Sequence, residues 1–315
     1  MKRVFIFLGL FISLQALAQD TTINNLVKDI DTTSDEKKPV KIFESEKTIN
    51  ANTTETVGKG KMDFKVTHNF GDIGGSSGGL KNFFGLDNAT DVRIAFEIGL
   101  GKRFDLIAGR AKGASLVSRL WELGIKYQLL QQMENDPSHP LSIAFFANTV
   151  VSSVKADNKD SLENSFRSFS DRMSQTFQLI IAKKIGKVSI QLNPTLVTRG
   201  YAVYYDQKTV FALGGAVRVP LCRNLNLIID YFHPFRNQSS KDSFRIKQNI
   251  KFYDPLGIGF EILTAGHVFH LNFTNATEIL ENRFIPRTVT SWGKGQFRWG
   301  FTISRTFVLW REKNK

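Results

Sequence analysis

The sequence predicts an all-β protein: an antiparallel transmembrane β-barrel of about 12 strands, within a range of about 10–14, with both termini periplasmic. Three observations lead there. Runs of about ten residues alternate apolar and polar side chains with period two, the mark of strands with one greasy and one polar face. An export signal opens the chain, and no later apolar run approaches the ~18 residues of a transmembrane helix. The connections between runs are sorted, tight on one side and long on the other, as in outer-membrane barrels.

The amino-terminal segment sets the compartment. Lys2 and Arg3 form a basic start, Val4 to Leu14 a short apolar stretch, and Ala16-Leu17-Ala18 a small-x-small cleavage site. Residues 1–18 therefore read as a signal peptide, and with no Cys at the cleavage point a lipoprotein anchor is not expected. Residues 19–60 read as a periplasmic leader or a luminal segment. Asp20 to Pro39 is polar with little to bury. Val40 to Val57 carries Phe43 and Ile49 among Thr and Asn, which suits either an extra strand or a segment folded into the lumen. Residues 61–308 form the barrel, and 309–315 a basic periplasmic tail. Ile143 to Val151, the longest later apolar run, is broken by Asn148 and Thr149.

Within the barrel, Lys61 to Gly71 sets the pattern: Met62, Phe64, Val66, His68 and Phe70 alternate with Asp63, Lys65, Thr67 and Asn69. The expected strands are 61–71, 90–100, 103–112, 119–129, 140–152, 171–184, 187–198, 208–220, 223–234, 255–265, 266–275 and 295–308. Connections after even strands are tight, as at Ile185-Gly186 and Thr264-Ala265-Gly266, except around Asp136-Pro137. Those after odd strands are mostly long, as at Ser153–Ser170, Pro234–Asp254 and Ala276–Lys294. A soluble β-sandwich has no reason to sort its loops this way.

The polar stripe tells which face meets lipid. It carries Lys65, Arg93, Arg103, Lys126, Lys184, Arg218 and Arg298 against Asp63, Asp91, Glu97, Asp105, Glu122, Asp230 and Glu261. An Arg or Lys facing mid-bilayer costs about 2–4 kcal/mol, so this stripe is assigned to the lumen, with His270 on the same face. Balanced signs fit salt-bridged filling or a transverse field better than a selective ring of one charge. Tyr201, Tyr204, Tyr205, Tyr231, Phe232 and Trp292 fall near strand ends, where an aromatic girdle is expected.

The formal net charge of +13 raises the possibility of nucleic acid, but the basic residues are scattered and the chain is exported. Phosphate-bearing outer-membrane lipids are the expected partners, together with the barrel-assembly machinery that inserts such proteins. The single Cys222 rules out an intramolecular disulfide. Gly71 to Gly79 is Gly-rich but lacks the Lys-Ser/Thr ending of a phosphate-binding loop and reads as an outer loop. Asp157, Asp160 and Glu163 lack the spacing of a calcium loop. No cofactor or metal is expected. His270 with Asn272 invites a hydrolase reading, but no Ser is set beside them by sequence; Ser304 would need strand pairing to reach them.

Four blocks carry a family likeness: THNFGDI at Thr67–Ile73, FFGLDNATDVRIAFEIGL at Phe83–Leu100, PLGIGFEILTAGHVFHLNFTNAT at Pro255–Thr277 and RWGFTISRTF at Arg298–Phe307. On these the chain resembles a family of outer-membrane β-barrel proteins, a domain of unknown function, over most of Val40 to Phe307. The resemblance implies a barrel in the outer membrane and supplies no reaction or cargo. The expectation from residues and resemblance together is a non-enzymatic channel or transporter for a small solute or hydrophobic molecule. A non-conducting docking barrel plugged by its own charges or by Val40–Val57 is the alternative, with a lipid hydrolase third.

Overall fold

The computed structural model describes residues 38–310. The expected signal peptide, the expected leader up to residue 37 and the tail beyond 310 lie outside the described residues. Twelve strands follow: β1 (Lys61–Asp72), β2 (Ala89–Gly99), β3 (Phe104–Ala111), β4 (Leu120–Leu130), β5 (Ser142–Ser152), β6 (Met173–Ile185), β7 (Val188–Arg199), β8 (Thr209–Cys222), β9 (Leu225–Phe235), β10 (Leu256–Leu263), β11 (Val268–Thr274) and β12 (Arg298–Val308). Each pairs antiparallel with its sequence neighbours, and β1 closes on β12, with Val66 opposite Ile303. All twelve expected strands are present, and no boundary differs by more than three residues.

Closure gives every strand two partners and leaves no open edge, the condition for strands to cross a bilayer. The faces divide as alternation requires. On β4, Trp121, Leu123, Ile125, Tyr127 and Leu129 are exposed, while Leu120, Glu122, Lys126 and Gln128 between them are buried. On β1, Asp63, Lys65, Thr67 and Asn69 are buried, and their apolar neighbours are half-exposed. A large apolar exterior around a charged interior is the inverse of a water-soluble domain and suits hydrocarbon outside. Among the described residues no helix is long and apolar enough to cross a membrane.

The short connections, residues 100–103, 186–187, 223–224 and 264–267, share one end of the barrel with the longer turn 131–141. The other end carries 73–88, 112–119, 153–172, 200–208, 236–255 and 275–297, including helices α1 (Gln238–Gln248) and α2 (Glu281–Arg287). The Gly-rich loop extends the wall: the Ile73 amide donates to Phe297 O and the Gly74 amide to Gly295 O. Gly85 is required there, because a Cβ would lie 2.3 Å from Gly71 O.

Candidate functional site

Residues 38–57 occupy the lumen as a strap. It starts at the short-turn end, where the Val40 amide donates to Gln132 O at 2.8 Å and Pro39 bridges Met133. Inside, it doubles back as a small hairpin: Lys47 bridges Asn52, the Thr48 amide reaches Ala51 O and the Thr53 amide reaches Glu46 O. It leaves past Gly99, where a Cβ would stand 1.9 Å from Gly58 O. Polar residues between sparse apolar ones suit this setting, since the surrounding wall offers hydrogen-bond partners. Ile42, Phe43 and Ala51 supply the apolar anchors, each almost fully buried.

The tip of the hairpin is held by Asp230 of β9. Its Oδ2 accepts from the Thr48 hydroxyl at 2.7 Å and from the amides of Ile49, Asn50 and Ala51 at 3.0, 2.6 and 3.1 Å. Asn50 Nδ2 donates to the other oxygen at 2.8 Å. Converging amides around an anion are a backbone nest, here filled by a wall carboxylate. The adjacent β10 makes room with glycine at inward positions. A Cβ on Gly257 would lie 2.7 Å from Asp230 Oδ1 and 2.9 Å from Ile49 Cγ2, and one on Gly259 3.2 Å from Ile49 Cδ1.

Other wall residues grip the strap along its length. Lys126 Nζ donates to Glu46 O, Glu55 O and Glu97 Oε1 at 3.1, 3.2 and 2.9 Å. Lys65 pairs with Glu46 at 3.1 Å, and Arg218 bridges Glu44 at 3.0 Å and Glu261 at 3.1 Å. Asp105 accepts the Val57 amide at 2.9 Å. Gln191 and Asn193 of β7 both donate to Asn52 O at 2.9 Å. These neutral amides were not singled out in the sequence; their signal is only their inward parity.

A second segment, residues 275–288, enters from the long-loop end. Asp91 receives the Ile279 amide at 2.9 Å, and Glu278 receives the amides of Ala114 and Ser115 at 3.1 and 3.2 Å. Arg283 pairs with Glu278 at 2.9 Å. Phe284 and Ile285 pack with Ala51, Val197, Val210, Ala212, Ala216 and Phe232 in an apolar cluster inside the wall. The two inward segments meet: Lys47 is paired with Glu281, which also accepts Asn52 Nδ2 at 3.1 Å.

The residues assigned to the lumen from sequence can now be placed. Asp63, Lys65, Arg93, Asp105, Glu122, Lys126, Arg218, Asp230, Glu261, His270 and Arg298 are all buried on inward positions, and Glu97 is half-buried among them. Arg93 pairs with Glu122 at 2.8 Å and Arg298 with Asp72 at 2.7 Å. Arg103 does not belong to this set. It sits exposed in the turn 100–103, one residue before β3 begins, outside the alternation that would have turned it inward.

Phe232 is not a girdle residue. It shares the parity of Asp230, faces inward and fills the space left by Gly214, where a Cβ would come within 2.2 Å of its ring. Its centroid lies 5.3 Å from that of Phe284. Tyr201 donates to Asp160 O at 2.8 Å, and Tyr204 and Tyr205 bond Lys247 and Gln248 of α1, so loop packing occupies all three. Trp292 stacks on Phe297 at 4.3 Å.

No hydrogen bond joins His270 to Ser304 among the described residues. His270 Nε2 faces Glu261 Oε1 at 3.3 Å, while Ser304 stands opposite Val268 and Lys65 in register. His68 points outward and stacks on Phe301 at 5.5 Å.

A family model described as membrane bound beta barrel domain (DUF5777) matches residues 43–307. No curated protein matches the sequence. Among solved structures, an outer membrane channel from Pseudomonas putida F1 is similar at 12% identity, covering 82% of this chain and 100% of that one, with a TM-score of 0.47. The outer membrane protein Omp33 from Acinetobacter baumannii is similar at 7% identity, covering 79% and 99%, with a TM-score of 0.38. LpxR from Salmonella typhimurium is similar at 10% identity, covering 78% and 99%, with a TM-score of 0.35.

Proposed function

Since this chain belongs to the membrane bound beta barrel domain family (DUF5777), we propose that it is an outer-membrane channel for a small solute, closed at rest by its own strap. The observation that carries this reading is the polar seat of residues 38–57, centred on Asp230 and Lys126. Hydrogen bonds to charged groups such as these contribute about 1.5–3 kcal/mol each net, because water competes for both partners. A strap held to the wall mainly by hydrogen bonds and ion pairs is held by groups that water can also solvate, which suits a releasable closure. In this reading the barrel sits in the outer membrane with the short turns and both termini periplasmic, which the closed antiparallel wall and the expected export signal support. The protein has no catalytic role in this reading.

Planar-bilayer recording tests it. The full mature chain is expected to be silent or to open rarely. Deletion of residues 38–57, alone or with 278–287 replaced by a Gly-Ser linker, is expected to give steady conductance. A deleted barrel that folds, by circular dichroism, yet stays silent would reject the channel in favour of the docking barrel. Steady conductance of the full chain would reject the strap as its closure.

A further inference from the structure

The long-loop end holds a cavity of about 640 Å³ between β1, β2, the 112–119 loop and the start of the inward 275–288 segment. That volume is in the range of ~300–1,000 Å³ typical of small-molecule sites. Its lining differs from such sites in having no aromatic or large aliphatic side chain. What it presents is hydroxyl groups, backbone and charge.

The charges do not cancel. Asp72 and Arg298 form a 2.7 Å pair at the wall and neutralise each other. Of the nearby buried carboxylates, Glu278 is paired with Arg283 at 2.9 Å and also accepts the amides of Ala114 and Ser115, and Asp91 accepts those of Gly113 and Ile279. Lys112 and Arg119 remain, both exposed and both lining the cavity. Lys112 gives one bond to Ala89 O at 2.7 Å. Arg119 is held in a left-handed conformation (φ 55), which a non-glycine residue adopts at a cost. Its carbonyl is fixed there by Arg110 at 2.8 Å and by the Ser153 hydroxyl and amide at 2.9 and 3.1 Å. A strained backbone locked by three donors at a cationic residue lining a cavity is the pattern expected of a preorganised site.

We propose that this cavity binds a small hydrophilic oxyanion, a phosphate or carboxylate solute, between Lys112 and Arg119. Two cations that make no ion pair among the described residues, set at a concave mouth, concentrate anions. Arg and Lys side chains make their strongest hydrogen bonds to such oxygens. A neutral sugar would find hydroxyl partners but no stacking platform. The cavity wall also touches the closure: Thr277 lines it and precedes Glu278, whose segment carries the Glu281 partner of Lys47. As a statement of solute class for the channel, the proposal rests on the reading above; binding itself does not require conduction.

Isothermal titration of the full mature barrel in detergent, with inorganic phosphate and with succinate, tests it, using glucose as the neutral probe. Saturable binding of at least one oxyanion is expected. The double variant Lys112→Gln/Arg119→Gln, exposed and so expected to fold, should weaken it roughly tenfold or more, as loss of one or two charge-assisted bonds implies. Arg245→Gln on α1 should leave it unchanged. If that double variant misfolds, Lys112→Met alone provides the same comparison with the same expected direction. No oxyanion binding, undiminished binding in the folded variant, or glucose bound as tightly would overturn the proposal. A strap-deleted barrel that conducts without binding oxyanion sinks this inference alone. Oxyanion binding by a barrel that never conducts sinks only the channel.

Discussion

Asp230 gathers the hairpin tip onto one carboxylate, and nothing at position 230 in the sequence distinguishes it from the other inward acids. Replacing it by Ala strands the amides of Ile49, Asn50 and Ala51 in the lumen. An unsatisfied buried polar group costs about 1–3 kcal/mol unless water reaches it. Asp230→Ala is therefore expected to raise hydrogen exchange at residues 48–52 at least about tenfold, the factor corresponding to ~1.4 kcal/mol, while β8 and β9 stay protected. Equal protection in the variant would show that the tip is held by its apolar anchors. Gly257→Val should have the same local effect by a different cause, because its Cβ would collide with Asp230 Oδ1 and Ile49 Cγ2.

At the scale of elements, the 200–208 and 236–255 loops are joined through one buried carboxylate. Asp206 pairs with Arg199 at 2.9 Å and with Arg236, whose guanidinium lies 3.9 Å from the Phe252 ring centroid. Burial pushes the Asp206 carboxyl up, but Arg199 and Arg236 more than offset this and hold it below the usual aspartate range. A depressed folded value means that its contribution is complete above the unfolded value of ~3.9 and is lost as pH falls through the lowered one. Exchange protection of the 236–255 loop, corrected for intrinsic rates, should hold down to about pH 4 and decline below it. A decline centred near neutral pH would contradict this assignment. The strand elements were legible because each run reports its own faces, as Trp121, Leu123, Ile125 and Tyr127 do. Arg103 was misplaced because β3 begins one residue beyond it, outside the alternation, and Phe232 because its place near a strand end hid that it shares the inward parity of Asp230.

The whole molecule is an inside-out polymer of hairpins, and its stability depends on what lies outside. Leu123 is 59% exposed in the middle of β4, opposite Ala108 and Thr149. On a water-soluble protein Leu123→Arg would be close to neutral. In a bilayer it should lower folding stability by about 2–4 kcal/mol, measured by denaturant titration in liposomes, if Leu123 lies near the midplane. A change within ~0.5 kcal/mol would argue against hydrocarbon at that face.

Sequence alone determined the strands, their two faces and the sorting of their connections. Each of these is a local matter, fixed by period-two alternation and by turn chemistry within a few residues. Only the tertiary structure decided what fills the barrel. The contact between Asn50 and Asp230 spans 180 positions, and that between Lys47 and Glu281 spans 234. Val40 to Val57 reads equally well as an extra strand or a segment folded into the lumen until a closed wall supplies the partners its polar groups require. The glycines at 257 and 259 look like weak points in a strand until Ile49 is seen to occupy the space they leave. Long-range closure creates the interior, and only an interior can tell a plug from a tail.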